Sequence, residues 1–230
     1  MALLIRQATY LLCDVCHIEH NADLLIEDGR IAAVGHDLPV PPNSETIDAQ
    51  GCAVIPGLIN AHTHLYQNFL KGAGAGLRLV PWCEAVLFPM VDVILQEQRA
   101  GQGRPAYLWS ALGALEMLRG GTTCCQNLDV SANALFQAWA DIGLRGVGAI
   151  TLADDWIPPD LMTEGDKLKR AALEYVARWH DPKGRVTVSL GPAPAAGAAV
   201  YFTGDRCSGC WPSRAATASP NSRVPTFCCE

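Results

Sequence analysis

The chain has 230 residues, of which 50% are hydrophobic and 17% charged, and its formal net charge is −6. This length is sufficient for a domain with a sizeable buried core, and the composition excludes a disordered, collagen-like or coiled-coil protein. The acidic balance argues against a nucleic-acid partner, because nucleic-acid-binding proteins carry clustered lysine and arginine.

Neither a membrane span nor a secretion signal is predicted. No apolar stretch is expected to reach the ~20 residues that cross a membrane, and Arg6 interrupts the N-terminal apolar segment too early for a signal peptide. The ten cysteines are therefore interpreted as buried thiols rather than as a disulfide framework. We expect a cytoplasmic protein without a membrane partner.

Residues 1–55 carry short strand patterns separated by turns. A hairpin is predicted to turn at Asp28 and Gly29, because Asp-Gly between apolar runs is a strong signal for a two-residue turn. Further strands are predicted over residues 3–12, 46–48 and 52–55. This pattern indicates a small N-terminal β-module.

From residue 56 the pattern changes to short apolar strands that alternate with helices. Strands are predicted over residues 58–61, 122–126, 145–151 and 186–190. Helices are predicted over residues 104–119, 131–141 and 166–180. In the first of these helices, Leu108, Leu112 and Leu115 recur at the spacing typical of the apolar face of an amphipathic helix. Strands alternating with helices predict βαβ units and a parallel sheet.

The strongest local signal is the segment Pro-Gly-Leu-Ile-Asn-Ala-His-Thr-His at residues 56–64. Side chains two residues apart on a strand point to the same face, so His62 and His64 are predicted to lie side by side at a strand end. Imidazole nitrogens are suitable ligands for Zn²⁺ and similar metals. A His-x-His pair alone is weak evidence for a metal site, because two polar residues at a strand end give the same spacing.

The sequence around this histidine pair resembles the amidohydrolase superfamily. Residues 56–64 are similar to its metal-site signature, and residues 23–35 resemble its N-terminal β-module. Three further segments resemble one branch of this superfamily, that of the triazine hydrolases and the adenosine-type and guanine-type deaminases. They are residues 65–72, 82–89 and 114–123. The resemblance covers residues 2–192.

This resemblance implies an α/β fold: a partial (β/α)8 barrel of about four βα units beside a small N-terminal β-sandwich. It implies one divalent metal, zinc or alternatively iron, bound by His62 and His64. Tyr66, Gln67 and Trp82 are the residues expected to contact substrate. Domains are expected at residues 1–55 and 56–192, followed by an irregular tail at 193–230.

The implied activity is hydrolysis of a carbon–nitrogen bond other than a peptide bond. The expected reaction is deamination of a small N-heterocycle by metal-activated water, with purines, pterins, pyrimidines and triazines all open as substrates. The intact relative is expected to be a homo-oligomer. Two alternatives stay open: a non-catalytic truncated remnant, and a carbon–halogen hydrolase on the same scaffold.

The catalytic residues stay unknown, because the remaining ligands and proton-transfer groups of this branch come from the second half of the barrel. The six histidines lie at positions 17, 20, 36, 62, 64 and 180, so no histidine follows residue 180. Residues 193–230 have no helical or strand period. They are interpreted either as a disordered tail or as the product of a shifted reading frame near residue 193.

Overall fold

The computed structural model describes residues 2–130, 132–152 and 165–192. The chain divides into two compact units, Met1–Leu58 and Ile59–Glu230. The division falls close to residue 55, where the sequence pattern changes from the β-module to alternating strands and helices. The tail expected at residues 193–230 lies outside the described residues.

The first unit is built on five strands. They are β1 (Ala2–Leu12), β2 (Ile18–Glu27), β3 (Arg30–Gly35), β4 (Glu45–Asp48) and β5 (Ala53–Val54). Strands β1, β2 and β3 pair as antiparallel neighbours, whereas β4 and β5 both run parallel to β1. The described residues of the predicted sandwich module thus form one five-stranded sheet.

The hairpin between β2 and β3 confirms the predicted turn. Asp28 and Gly29 have φ values of 50° and 73°, the left-handed backbone that a two-residue hairpin turn requires. Glycine adopts this conformation at no steric cost, and aspartate is among the residues that tolerate it best. The turn sets the register in which Glu27 pairs with Arg30.

The second unit contains the strands and helices of the predicted βαβ pattern. In chain order they are β6 (Leu58–Thr63), a 3-10 helix (Leu65–Leu70), α1 (Leu79–Trp82), a π-helical turn (Cys83–Leu87), α2 (Phe88–Arg99), α3 (Arg104–Arg119), β7 (Thr122–Asp129), α4 (Ala132–Ile142), β8 (Arg145–Leu152), α5 (Gly165–Trp179) and β9 (Val186–Pro192). The sheet order is β6-β7-β8-β9, and the pairs β7–β8 and β8–β9 are parallel. Four strands in this order, with intervening helices and with β7, β8 and β9 parallel, correspond to half of a (β/α)8 barrel.

The helical segment from residue 79 to residue 99 was not predicted. Within the described part of the chain it is the one helix long and apolar enough, by length and composition, to cross a membrane. The expectation that no apolar segment is long enough to cross a membrane is therefore wrong. Core helices of soluble proteins also meet this criterion of length and composition. Met90, Val91 and Ile94 of this segment pack with Tyr66 and Ala106 in a buried cluster.

The side of α3 that packs inward consists of small residues. Its buried residues are Ala106, Ser110, Gly113 and Ala114. A Cβ atom on Gly113 would lie 2.9 Å from the Leu65 side chain, so a larger residue would push α3 away from the 3-10 helix. The predicted apolar stripe of Leu108, Leu112 and Leu115 is instead 47–49% exposed.

Helix α4 packs directly on the backbone of β8. Phe136 and Trp139 of α4 are almost fully buried in the central cluster of this unit. A Cβ atom on Gly148 would overlap the Phe136 ring, and one on Gly146 would lie 2.9 Å from the Trp139 ring. The two glycines therefore permit the close approach of α4 to the sheet.

Gly148→Ala is expected to lower the free energy of unfolding by about 1–3 kcal/mol, because the added methyl group overpacks the contact with Phe136. The measurement is urea unfolding followed by far-ultraviolet circular dichroism, which reports on both units. Gly35→Ala in β3 is the matched control: its Cβ would meet Leu38 at 3.5 Å, an ordinary contact, so its effect should stay within about 0.5 kcal/mol. Equal losses in the two variants would contradict the packing argument.

Candidate metal centre

His62 and His64 lie side by side at the C-terminal end of β6. Their Nε2 atoms are 3.3 Å apart, and their ring planes meet at 78°. The prediction that the two side chains share one face is confirmed. Two nitrogen ligands of one tetrahedral zinc ion, each at about 2.0–2.1 Å, are separated by ~3.3–3.4 Å. The observed spacing thus fits a shared ion.

A hydrogen bond to the neighbouring strand fixes the His64 ring. Its Nδ1 atom lies 2.9 Å from the carbonyl oxygen of Leu128 in β7. Because a carbonyl oxygen only accepts, Nδ1 carries the proton, and Nε2 of the neutral ring keeps its lone pair on the side of His62. Histidines that bind metals typically donate their other ring N–H to a carbonyl or carboxylate in this way.

His64 is in the neutral form, which is the form that binds metals. Burial lowers the pKa of His64 below its ordinary value of 6.5; the hydrogen bond to Leu128 opposes this shift, and the neighbouring His62 adds to it. The ring is therefore neutral at pH 7.

Asn127 of β7 was not among the predicted site residues, and it is fully buried. Its Oδ1 atom accepts a hydrogen bond of 2.6 Å from the backbone N–H of Leu65, the residue that follows His64. Its Nδ2 atom donates to Asp129 at 3.4 Å. Buried strands of parallel sheets are usually apolar, so these two polar residues two positions apart were the signal available in the sequence.

Two of the residues expected to contact substrate follow His64 directly. The Tyr66 ring centroid is 6.2 Å from that of His64, and the Tyr66 hydroxyl accepts a hydrogen bond from Gln67 Nε2 at 3.2 Å. Tyr66 is buried, and burial raises its pKa well above 10, with a smaller contribution from the charge of Asp129. Its hydroxyl is thus neutral at physiological pH, and the substrate role of both residues stays a prediction.

Trp82, the third such residue, lies at the end of α1. Its Nε1 atom donates to the carbonyl oxygen of Ala73 at 2.9 Å. A Cβ atom on Gly74, whose φ is 67°, would lie 2.8 Å from the Trp82 ring. The indole therefore packs against the glycine-containing loop before α1, and its predicted stacking on a heterocycle stays a prediction.

A cavity of about 270 Å³ adjoins His64 on the side of α3. Thr63, Leu65, Asn68, Met117 and Thr122 are among the residues that line it. Glu116, also in its wall, forms an exposed ion pair with Lys71, and the hydrogen bond from Lys71 lowers the pKa of Glu116. The volume is slightly below the ~300–1,000 Å³ typical of ligand pockets.

The histidine pair has no further metal-binding side chain grouped with it in the described ranges. There, no cluster of three or more His, Cys, Asp or Glu side chains is placed to hold a metal ion. His180 follows α5, and its Nδ1 atom accepts a hydrogen bond of 3.2 Å from the Val188 amide in β9. A catalytic zinc ion normally has three protein ligands, of which this pair would supply two.

Comparison with known protein families matches residues 53–200, more than half of the chain, to the amidohydrolase family. The chain belongs to this family. A curated relative is the 5-methylthioadenosine/S-adenosylhomocysteine deaminase of Desulforudis audaxviator (strain MP104C), which is 32% identical over 199 residues. The match covers 84% of this chain and 42% of the relative.

Solved structures show the same fold. The zinc complex of atrazine chlorohydrolase from Arthrobacter aurescens TC1 matches with a TM-score of 0.72 and 27% identity, over 84% of this chain and 47% of that one. A zinc-bound adenosine deaminase from Xanthomonas campestris matches with a TM-score of 0.72 and 24% identity, over 83% and 42%. The chain thus has a partial (β/α)8 barrel and spans less than half the length of each of these proteins.

Proposed function

We propose that the chain is part of a metal-dependent hydrolase that acts on carbon–nitrogen bonds other than peptide bonds, and that His62 and His64 are two of its metal ligands. The observation that carries this proposal is the 3.3 Å separation of their Nε2 atoms at the C-terminal end of β6. Active sites of (β/α)8 barrels lie at this end of the strands. Membership of the amidohydrolase family supports the same reaction class.

The donor set suits zinc, with iron as the alternative. Both ligands are imidazoles, and the contact between Nδ1 of His64 and Leu128 leaves its Nε2 lone pair available. When bound, such an ion acts as a Lewis acid and lowers the pKa of a bound water molecule to about 7. His62 and His64 would hold the ion and fix its place at the mouth of the sheet.

Within this class, the proposed substrate is an N-heterocycle of the adenosine type. The 32% identity to a deaminase of 5-methylthioadenosine and S-adenosylhomocysteine over 84% of this chain supports this choice. Gln67 offers an amide for hydrogen bonding, and Tyr66 offers a hydroxyl that accepts a hydrogen bond from that amide. Together with Trp82 they are the proposed substrate contacts, in a protein proposed to be cytoplasmic.

Carbon–halogen hydrolysis is the second candidate reaction, favoured by the 27% identity to atrazine chlorohydrolase. Both reactions would use the same metal ligands, so the leaving group distinguishes them. In a chain that also carries the second half of the barrel, ammonia released from amino-substituted heterocycles would support the first reaction, and chloride released from chlorinated triazines would support the second.

Zinc binding to the full chain tests the metal proposal. After alkylation of the accessible thiols, which include the exposed Cys13, Cys16 and Cys52, the chain is expected to bind one zinc ion through His62 and His64. His62→Ala and His64→Ala should each weaken binding at least about tenfold, because each removes one of two ligands. Calorimetric titration measures the affinity.

The control is His17→Ala, which removes an exposed histidine paired with Glu19 in the first unit. This variant should bind zinc as the unsubstituted chain does. Equal zinc affinity in all three variants and the unsubstituted chain would exclude the proposed site.

A further inference from the structure

We propose that Asn127 is a positioning residue: it holds the backbone just after His64, so that the His64 ring keeps the hydrogen bond to the Leu128 carbonyl that sets its tautomer. Its functional meaning rests on the proposed metal role of His64, and the contacts that carry it are hydrogen bonds within the chain. They link the segment after β6 to the C-terminal end of β7.

The first contact completes the start of the 3-10 helix. The N–H groups in the first turn of a helix have no partner within that helix, and the residue before this one, His64, provides no side-chain cap. Leu65 is only 2% exposed, so water cannot readily replace a partner for its N–H group. Asn127 Oδ1, at 2.6 Å, supplies that partner from a strand 62 residues away.

The second contact orients the Asn127 amide. Asn127 Nδ2 donates a hydrogen bond of 3.4 Å to Asp129 Oδ2, while Asn127 Oδ1 accepts from the Leu65 N–H group. The amide nitrogen therefore faces Asp129, and the amide oxygen faces the Leu65 N–H group. A flipped amide would place acceptor against acceptor and donor against donor, so the observed orientation is favoured at both ends.

The third contact connects this arrangement to the metal ligand. His64 Nδ1 donates to the carbonyl of Leu128, which lies between Asn127 and Asp129 in the strand. The backbone just after His64 is thus held by residue 127, and the imidazole ring by residue 128. With both attachments in place, His64 Nε2 faces His62 at 3.3 Å.

The test compares Asn127→Ala with Asn133→Ala in the full chain. Asn133 is the control for loss of a distant amide hydrogen bond: its Oδ1 atom accepts from Trp179 Nε1 at 3.0 Å, although Asn133 is exposed whereas Asn127 is buried, and the melting data account for that difference in stability. Solid-state ¹⁵N NMR of the metal-free chain, which also suits an associated protein, reports the tautomer of His64. Zinc titration and thermal melting are measured on the same samples.

The unsubstituted chain and Asn133→Ala are expected to show one His64 tautomer, protonated at Nδ1. Asn127→Ala should show mixed tautomers and a zinc affinity reduced by about 10–100-fold, the range for residues that orient metal ligands. An unchanged tautomer and affinity in Asn127→Ala would overturn the proposal. So would an equal affinity loss in Asn133→Ala, since that result indicates only a general loss of stability.

Hydrogen exchange gives a readout that needs no substitution. The proposal requires slow exchange of the Leu65 amide, comparable to the amides inside β7, and rapid exchange would refute it even if Asn127→Ala fails to fold. Failure of the zinc proposal can be distinguished from failure of the Asn127 proposal. If the zinc proposal fails, zinc binding is unaffected by His62→Ala and His64→Ala, and the tautomer and exchange results still decide the role of Asn127.

Discussion

Ammonia release from adenosine-type substrates by the 230-residue chain is expected to stay at the background level, even with zinc added. A catalytic zinc centre needs three protein ligands, an open coordination position and a proton-transfer group within hydrogen-bond reach. The described residues bring together two imidazoles and no third metal-binding side chain. Because rate enhancements of about 10⁶ or more depend on the complete set, we expect no measurable turnover rather than reduced turnover.

The measurement is a coupled ammonia assay with adenosine and 5-methylthioadenosine. The deaminase of Desulforudis audaxviator, assayed with the same zinc and substrate concentrations, is the positive control. Zinc-dependent ammonia release that disappears in His62→Ala would show that this chain assembles a complete site by itself.

The alternation of strands and helices and the place of the histidine pair could be predicted because both depend on local periodicity. The two-residue period of a strand puts His62 and His64 on one face whatever surrounds them. Helix α3 was predicted with its observed bounds, since its apolar residues recur at the helical spacing and glycines follow it. These features need no knowledge of tertiary contacts.

The helical segment from residue 79 to residue 99 could not be predicted in this way because it contains Pro81 and Pro89. Proline normally ends a helix, but it is tolerated in the first turn, where its missing N–H group would have no partner. Pro89 lies in the first turn of α2, directly after the π-helical turn. Whether such a proline ends one helix or begins the next depends on the irregular turn before it.

Two further features depend on contacts between distant residues. Asn127 meets Leu65 across 62 positions, and no local pattern identifies such a pair. The inward side of α3 is decided by close packing: its small residues permit near approach to the 3-10 helix, whereas its leucines would hold the two apart. Periodicity identifies the apolar stripe of an amphipathic helix without showing what covers that stripe.

The exposed apolar surface of the second unit lies near the two ends of its sheet. Strands β6 and β9 are the outer strands, each with one side that no other strand of this sheet pairs with. Leu108, Leu112 and Leu115 of α3 are about half exposed, and Leu173 of α5 is 60% exposed. Among the described residues of α4, the helix between these two in the chain, no large apolar side chain is exposed.

The 230-residue chain is therefore expected to associate into dimers or larger species, or to be insoluble, because unpaired strand edges and apolar patches favour contacts with other chains. Size-exclusion chromatography with light scattering measures this. Leu112→Glu combined with Leu115→Lys should shift the chain towards smaller species by making the α3 stripe polar. Ala140→Lys, which adds a charge to the exposed side of α4, is the control and should leave the distribution unchanged. A monodisperse monomer with one cooperative melting transition would show instead that four strands of this barrel form a self-sufficient domain.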